Sequence, residues 1–266
     1  MTLRRIPYSF MRRHIYLSLL TCWMLVVSSS VFAQSQGVIS IAAAANLNGV
    51  LDALMQLYTK KTGQNLKVVY GSSGHFFQQI TQGAKYDIFL SANEEFVDKL
   101  SAQGFAAQAG VVYARGRIVL LTSQKSKIRT SADLSDLKNA ISDGRLIKFA
   151  IANPALAPYG LAAKQTLEQM GLIAIFQPLF VLGSDVGQTM LFIRSEAAQA
   201  GMVPWSMVKQ STQIKEDAYY LIPEKMHQPI LQKMILFKTS LPQAQGFYTF
   251  LQTPEARVIW QQYGYE

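Results

Sequence analysis

Between residues 68 and 80 the chain reads "VVYGSSGHFFQQI", with two serines framed by glycines and followed by His75. A serine in this setting has two chemical uses: it can be a nucleophile, or it can help cradle an anion. A nucleophile elbow takes the form Gly-x-Ser-x-Gly, with an acid and a histidine further along the chain. Here the run is Gly71-Ser72-Ser73-Gly74, and the only later histidine is His227, in "EKMHQPI", which reads as a surface turn before a strand. Adjacency of Ser73 and His75 makes no triad, because the base must reach the hydroxyl and have an orienting partner of its own. A secreted hydrolase using Ser73 is therefore the rival reading from another class, and no catalytic residue is assigned.

The anion reading draws on four turns. A helix N-terminus presents unpaired N–H groups at the positive end of the helix dipole, and Ser or Gly there permits close approach. Ordinary N-capping accounts for any one such turn. But Asn46 follows "AAAA", Ser73 lies in "GSSG", Tyr159 and Gly160 end "NPALAPYG", and Asp185, Val186 and Gly187 lie in "GSDVG". Each turn follows an apolar strand pattern, and in open α/β sheets strand ends and helix starts share the edge where ligands bind. None of the four contains Lys or Arg. Neutral donors suit a fully deprotonated anion, held by directed hydrogen bonds without a counter-charge. A protonated oxyanion would want an acceptor; Asp185 is the one candidate, and it is equally placed to cap its own helix.

Metal chemistry has little to work with. Past residue 33 there are two histidines and no cysteine, and no spacing resembles a zinc site. Tyr219-Tyr220 invites comparison with ferric-ion binders, but neighbours on a strand point to opposite faces.

The elements that must position these turns alternate. "GVISIAAAA", "NLKVVYG" and "YDIFLSA" read as strands, each followed by a helix pattern, and the alternation implies parallel sheets with helices on both faces. "GVVYARGRIVLLTS" is long for one strand and carries Gly116, so it reads as a passage between lobes. "LIKFAIANP", "LFVLGSD" and "MVPW" resume the strands, and "DAYYLIPEKMHQPILQKMILFK" reads as two more, the second returning to the first lobe. Thr253, Pro254, Glu255 and Gly264 frame a C-terminal helix. The expected fold is α/β: two doubly wound lobes joined by a two-strand hinge, with lobe 1 at 34–115 plus 225–266 and lobe 2 at 116–224.

The first residues have a different character. "MRRHIYLSLLTCWMLVVSSSVFA" has basic residues, a short apolar run and small residues ending at Ala33, which reads as a secretory signal peptide over 1–33 rather than a membrane anchor. Met11 is the alternative start to Met1, since "MRRH" begins an ordinary signal peptide without the ten residues before it. Export places the mature chain in the periplasm. Losing the leader removes Arg4, Arg5, Arg12, Arg13 and no acid, so the net charge falls from +9 to +5. The leader also takes Cys22, the single cysteine, and with it any disulfide. The remaining balance suits small anions and has no Lys/Arg stripe of the kind nucleic acid needs.

The stretches "ISIAAAANLNGVLDAL", "VVYGSSGHFFQQITQGAKYDIFLSAN", "NPALAPYGLAAKQTLEQMG", "LGSDVGQTM" and "IWQQYGY" resemble, in this order, the periplasmic molybdate-binding proteins of bacterial ABC importers. The resemblance spans essentially the whole chain past the leader. It implies a type II periplasmic-binding-protein fold closing on molybdate or tungstate, with no cofactor. It also implies no direct protein–metal ligand, a monomer, and an ABC permease of the inner membrane as partner. Carried over residue by residue, Asn46 is the donor after the alanine run, with Ala45 beside it. Ser73 donates through hydroxyl and backbone N–H, Tyr159 through at least its N–H, and Val186 through its N–H. Some members place a tyrosine hydroxyl in the cleft after the "G-[IM]-V" strand, where "GMVPW" has Pro204. Members with asparagine at the first turn manage without it, and Asn46 fits that subset; Tyr159 and Trp205 are the candidates for compensation. Another anion or a ferric complex is the runner-up ligand.

Overall fold

The computed structural model describes residues 37–130 and 134–266. The expected signal peptide over 1–33, with Cys22, lies outside the described residues. Strand β1 (Ile39–Ala44) carries the alanine run through a 3-10 turn (Ala45–Leu47) to helix α1 (Val50–Thr62). Then come β2 (Leu66–Gly71), α2 (Ser73–Thr81), β3 (Ile88–Leu90) and α3 (Glu95–Ala102). Only Arg117 separates β4 (Val111–Gly116) from β5 (Ile118–Thr122). After α4 (Ser135–Ser142) come β6 (Phe149–Ala152), α5 (Pro158–Gln169), α6 (Ile173–Phe176), β7 (Phe180–Gly183), α7 (Val186–Arg194), β8 (Ala200–Pro204) and α8 (Trp205–Lys209). The chain closes with β9 (Tyr219–Leu221), β10 (Ile230–Leu236), α9 (Ala244–Phe250) and α10 (Pro254–Gln262).

The strands form two five-stranded sheets, in the orders β2-β1-β3-β10-β4 and β7-β6-β8-β5-β9, so the architecture is α/β and two-lobed. The sheets are mixed, which corrects the all-parallel expectation. β1 runs parallel to β2 and β3, and β6 parallel to β7 and β8, whereas β10 is antiparallel to β3 and β4, and β5 to β8 and β9. The physical cause is the pair of crossovers. A strand arriving from the other lobe enters its sheet from the opposite end and pairs antiparallel. Arg117 sits at the first crossover, its Nη1 3.2 Å from Glu224 near the second and 3.0 Å from Glu266 at the C-terminus.

Local signals set the helix ends. Gly63 closes α1 at φ 71°, and Gly264 follows α10 at φ 87°. Thr253 caps α10, its Oγ1 accepting the Ala256 N–H at 3.2 Å, with Pro254 in the first turn. The "NLNGVLDAL" stretch divides in two: Asn46 lies on the 3-10 turn, and α1 begins four residues later after Gly49 at φ 85°. Helices α4 and α9 have no side-chain cap, so their starts carry no local mark. Ile41, Leu51 and Leu54 are fully buried in the first lobe, and Phe149, Ile151 and Leu167 in the second. Truncating such a residue to alanine costs ~2–5 kcal/mol, so these faces hold the turns in place. Among the described residues no helix is long and apolar enough to cross a membrane.

Candidate functional site

The parallel strands deliver four turns to one place. A cavity between the lobes is walled by Ala44 to Asn46 after β1, Gly71 to Ser73 after β2, Ala157 to Tyr159 after β6, and Asp185 and Val186 after β7. The space open to the centre of a water-sized sphere is about 10 Å³. That is room for one compact group of atoms, far below the ~300–1,000 Å³ of sites for drug-sized organic ligands. Among the described residues no Lys or Arg lines it.

Each turn supplies donors for a local reason. Ser73 and Val186 are the first residues of α2 and α7, and Tyr159 is the second of α5, after Pro158. Helix geometry leaves the N–H groups of such positions without an intrahelical partner. Ser73 Oγ accepts the backbone N–H of Ala92 at 2.9 Å. That contact occupies a lone pair and leaves the hydroxyl proton to be given elsewhere. Asp185 turns its carboxylate back on its own helix, where Oδ1 accepts the Gln188 N–H at 3.0 Å. The cavity thus has donors on both lobes, and the one carboxylate that lines it among the described residues is engaged as a cap.

Behind the cavity lies a buried polar network that the sequence reading did not contain. Gln232 is fully buried on β10; its Oε1 accepts from Asn46 Nδ2 at 2.9 Å, and its Nε2 donates to the Tyr159 hydroxyl at 3.3 Å. The Tyr113 hydroxyl donates to the same Oε1 at 3.1 Å. Tyr265, next to the last residue, accepts the other Asn46 Nδ2 hydrogen at 2.9 Å and donates to the Asn46 carbonyl at 2.6 Å. Ser206 Oγ stands 3.0 Å from that phenol. Both hydrogens of the Asn46 amide are therefore spent inward, and what Asn46 has left to donate is its backbone N–H. The Tyr159 side chain likewise points to the crossover and packs against Gly116, where a Cβ would collide with its hydroxyl. Burial pushes the phenols of Tyr113 and Tyr159 well above their ordinary pKa, so both stay protonated. A β-bulge at Gln232/Lys233 accompanies this inward aim. The available signal was a lone glutamine at the inward phase of "ILQKMIL".

The remaining sequence candidates sit elsewhere. Trp205 packs its ring against Tyr219, centroids 5.1 Å apart and planes tilted by 42°, and Pro204 ends β8 opposite Ile118, so neither Trp205 nor the Tyr159 phenol stands in the place of a cleft tyrosine. His227 is part-buried beside the second crossover, its Nδ1 2.7 Å from the Gln228 carbonyl. Among the described residues no three His, Cys, Asp or Glu side chains gather as a metal site.

Two α/β lobes joined by paired crossovers, with helix N-termini from both facing one small cavity, define the class: a two-lobed solute-binding protein. The chain belongs to the bacterial extracellular solute-binding protein family, whose model matches residues 39–266. It is similar to the molybdate-binding protein ModA of Rhodobacter capsulatus, at 32% identity over 86% of this chain and 88% of that one. Its similarity to ModA of Azotobacter vinelandii is 28% identity over 85% of this chain and 89% of that one. The solved structure of the periplasmic molybdate-binding protein of Azotobacter vinelandii superposes with a TM-score of 0.78 at 30% identity, covering 86% of this chain and 98% of that one.

Proposed function

We propose that this chain captures molybdate, and tungstate of the same shape, between its lobes and hands it to the membrane permease of an ABC importer. One observation carries the reading: a small cavity lined by helix N-termini of both lobes and, among the described residues, by no Lys or Arg. Such a site favours an anion that carries no proton. Phosphate near neutral pH keeps a proton and needs an acceptor, whereas Asp185 is engaged with Gln188. The assigned donors are the N–H groups of Asn46 and, beside it, Ala45, the hydroxyl and N–H of Ser73, and the N–H groups of Tyr159 and Val186. Sulfate, with shorter bonds to oxygen, would leave donors spaced for molybdate too far away.

The chain acts as a periplasmic monomer after loss of residues 1–33, with lobe 1 formed by 34–115 plus 225–266 and lobe 2 by 116–224. The ligand favours the closed form because only there do both lobes donate to it. The relatives are binding proteins, and the same part is proposed here. Thermal unfolding with molybdate, tungstate, sulfate and phosphate in parallel tests the reading. A ligand at about 100 times its Kd adds ~2.7 kcal/mol, a rise of roughly 5–10 °C for a chain of this size. Such a rise with molybdate and tungstate alone is expected. No rise with either would overturn the ligand assignment.

A further inference from the structure

Beside the cavity the two lobes touch directly. The carbonyl of Leu156, on the turn before α5, accepts the backbone N–H of Gly74 at 2.8 Å and the hydroxyl of Ser72 at 2.9 Å. These residues flank Ser73, so one turn of the first lobe carries an anion donor between two clasp donors. The acceptor is held rigidly: the N–H groups of Leu156 and Ala157 both return to the Asn153 carbonyl, at 3.0 and 2.8 Å, and Asn153 Oδ1 accepts the Ala155 N–H at 3.0 Å. Gly74 fits because it has no side chain; a Cβ would stand 2.8 Å from both the Cα and the oxygen of Leu156.

Position gives the contact leverage. β2 is the edge strand of its sheet, the far side of β1 and β3 from the crossover strand β10, and Gly74 lies in the first turn of α2, which follows it. By contrast the bonds of Ser206 to Asn46 and Tyr265 come from α8, which follows directly on β8, the neighbour of β5 in the second sheet. Opening about the crossovers would separate Gly74 from Leu156 more than it separates the Ser206 group.

We infer that Ser72 and Gly74 form a clasp on the Leu156 carbonyl that sets how far the cleft closes, and so fixes the span between the Ser73 and Tyr159 donors and the rate of ligand release. The inference rests on the proposed oxyanion capture. It makes Gly74 a positioning residue that touches no ligand. Its effect belongs in the dissociation rate, since a ligand leaving the closed cleft must wait for the clasp to open.

Exchange of radiolabelled molybdate against unlabelled molybdate measures that rate in wild type, Gly74→Ala, Gly74→Val and Ser72→Ala. Alanine and valine are tolerated within a helix, so α2 persists, as circular dichroism of the unliganded proteins would show. Release is expected to quicken tenfold or more in Gly74→Ala and further in Gly74→Val, with association within about threefold of wild type. Ser72→Ala, which removes the donor to Leu156 together with the Oγ that accepts the His75 N–H at 3.4 Å but adds no bulk at the contact, should quicken it less. Wild-type release rates in both Gly74→Ala and Ser72→Ala would overturn the clasp. A wild type that binds no molybdate would instead overturn the functional reading beneath it.

Discussion

Nε2 of Gln232 donates to the hydroxyl of Tyr159 at 3.3 Å, and this contact turns the phenol away from the interlobe cavity that Tyr159 helps to line. Tyr159→Phe should therefore bind molybdate within about threefold of wild type. Its cost is one hydrogen bond, about 1 kcal/mol of stability. Gln232→Leu should be far worse. It strips a partner from Asn46 and from Tyr159, at ~1–3 kcal/mol for each buried group left unpaired, while the Tyr113 hydroxyl keeps the Ser91 carbonyl at 3.1 Å. Calorimetric titration and chemical denaturation of the two variants separate the effects. A large loss of affinity in Tyr159→Phe would mean that the phenol reaches the ligand.

Ser73→Ala should lower molybdate affinity by about ten- to a hundredfold, the worth of one hydrogen bond to a charged group at ~1.5–3 kcal/mol. It should also destabilise the unliganded protein, because the buried N–H of Ala92 loses its acceptor. Titration calorimetry gives the first number and denaturant midpoints the second. Ser73→Ala with unchanged affinity would remove the second turn from the site.

Asp136 offers a stability test remote from the cavity. Its carboxylate accepts two N–H groups of Arg145, at 2.8 and 2.9 Å, and the backbone N–H of Arg129 at 2.7 Å. These bonds, the Arg145 guanidinium foremost, hold its pKa well below the usual carboxylate range. A carboxyl depressed in the native state stabilises fully above its unfolded pKa of about 4, and the gain is lost as pH falls through the native value. Asp136→Asn should lower stability by ~1–3 kcal/mol at pH 7, and the gap from wild type should narrow below about pH 4. Urea denaturation across that range measures it.

His227 has the same sign, although here the native state favours the neutral form. Its Nδ1 donates to the Gln228 carbonyl, which leaves Nε2 as the bare nitrogen, buried and without a partner among the described residues. Burial pushes the imidazole pKa down, with nearby Arg117 adding to the effect and Glu224 opposing it. The unfolded imidazole takes a proton near pH 6.5 while the native one resists until lower pH, so stability falls as pH drops below about 6.5. His227→Gln should flatten that part of the stability profile. An identical slope in wild type and variant would place the proton uptake elsewhere.

How much of this was legible beforehand depended on distance along the chain. The turns at Asn46, Ser73, Tyr159 and Val186 announce themselves because capping chemistry is written within a few residues: a small or polar residue, a break in the apolar pattern, then a helix. Asn46 was harder, since Gly49 interrupts the helical pattern at a positive φ and leaves the asparagine on a separate 3-10 turn. The direction of the strands in each sheet is not legible for a related reason. Alternation of strand and helix specifies parallel neighbours within a lobe, but a strand that arrives from the other lobe is oriented by the crossover and not by its own residues.

By itself, the sequence determined an α/β chain with four cation-free donor turns at strand ends, because each depends on local backbone geometry and side chains close by. Only the tertiary structure decided that Asn46 spends its amide on Gln232 and Tyr265, 186 and 219 residues away. It also decided that Gly74 meets Leu156 and that the Tyr159 phenol faces Gln232. Those pairings arise from sheet order and from two crossovers that fold one lobe against the other. No local pattern encodes which buried polar group will stand opposite which, because a buried donor takes whatever acceptor the packing brings to it.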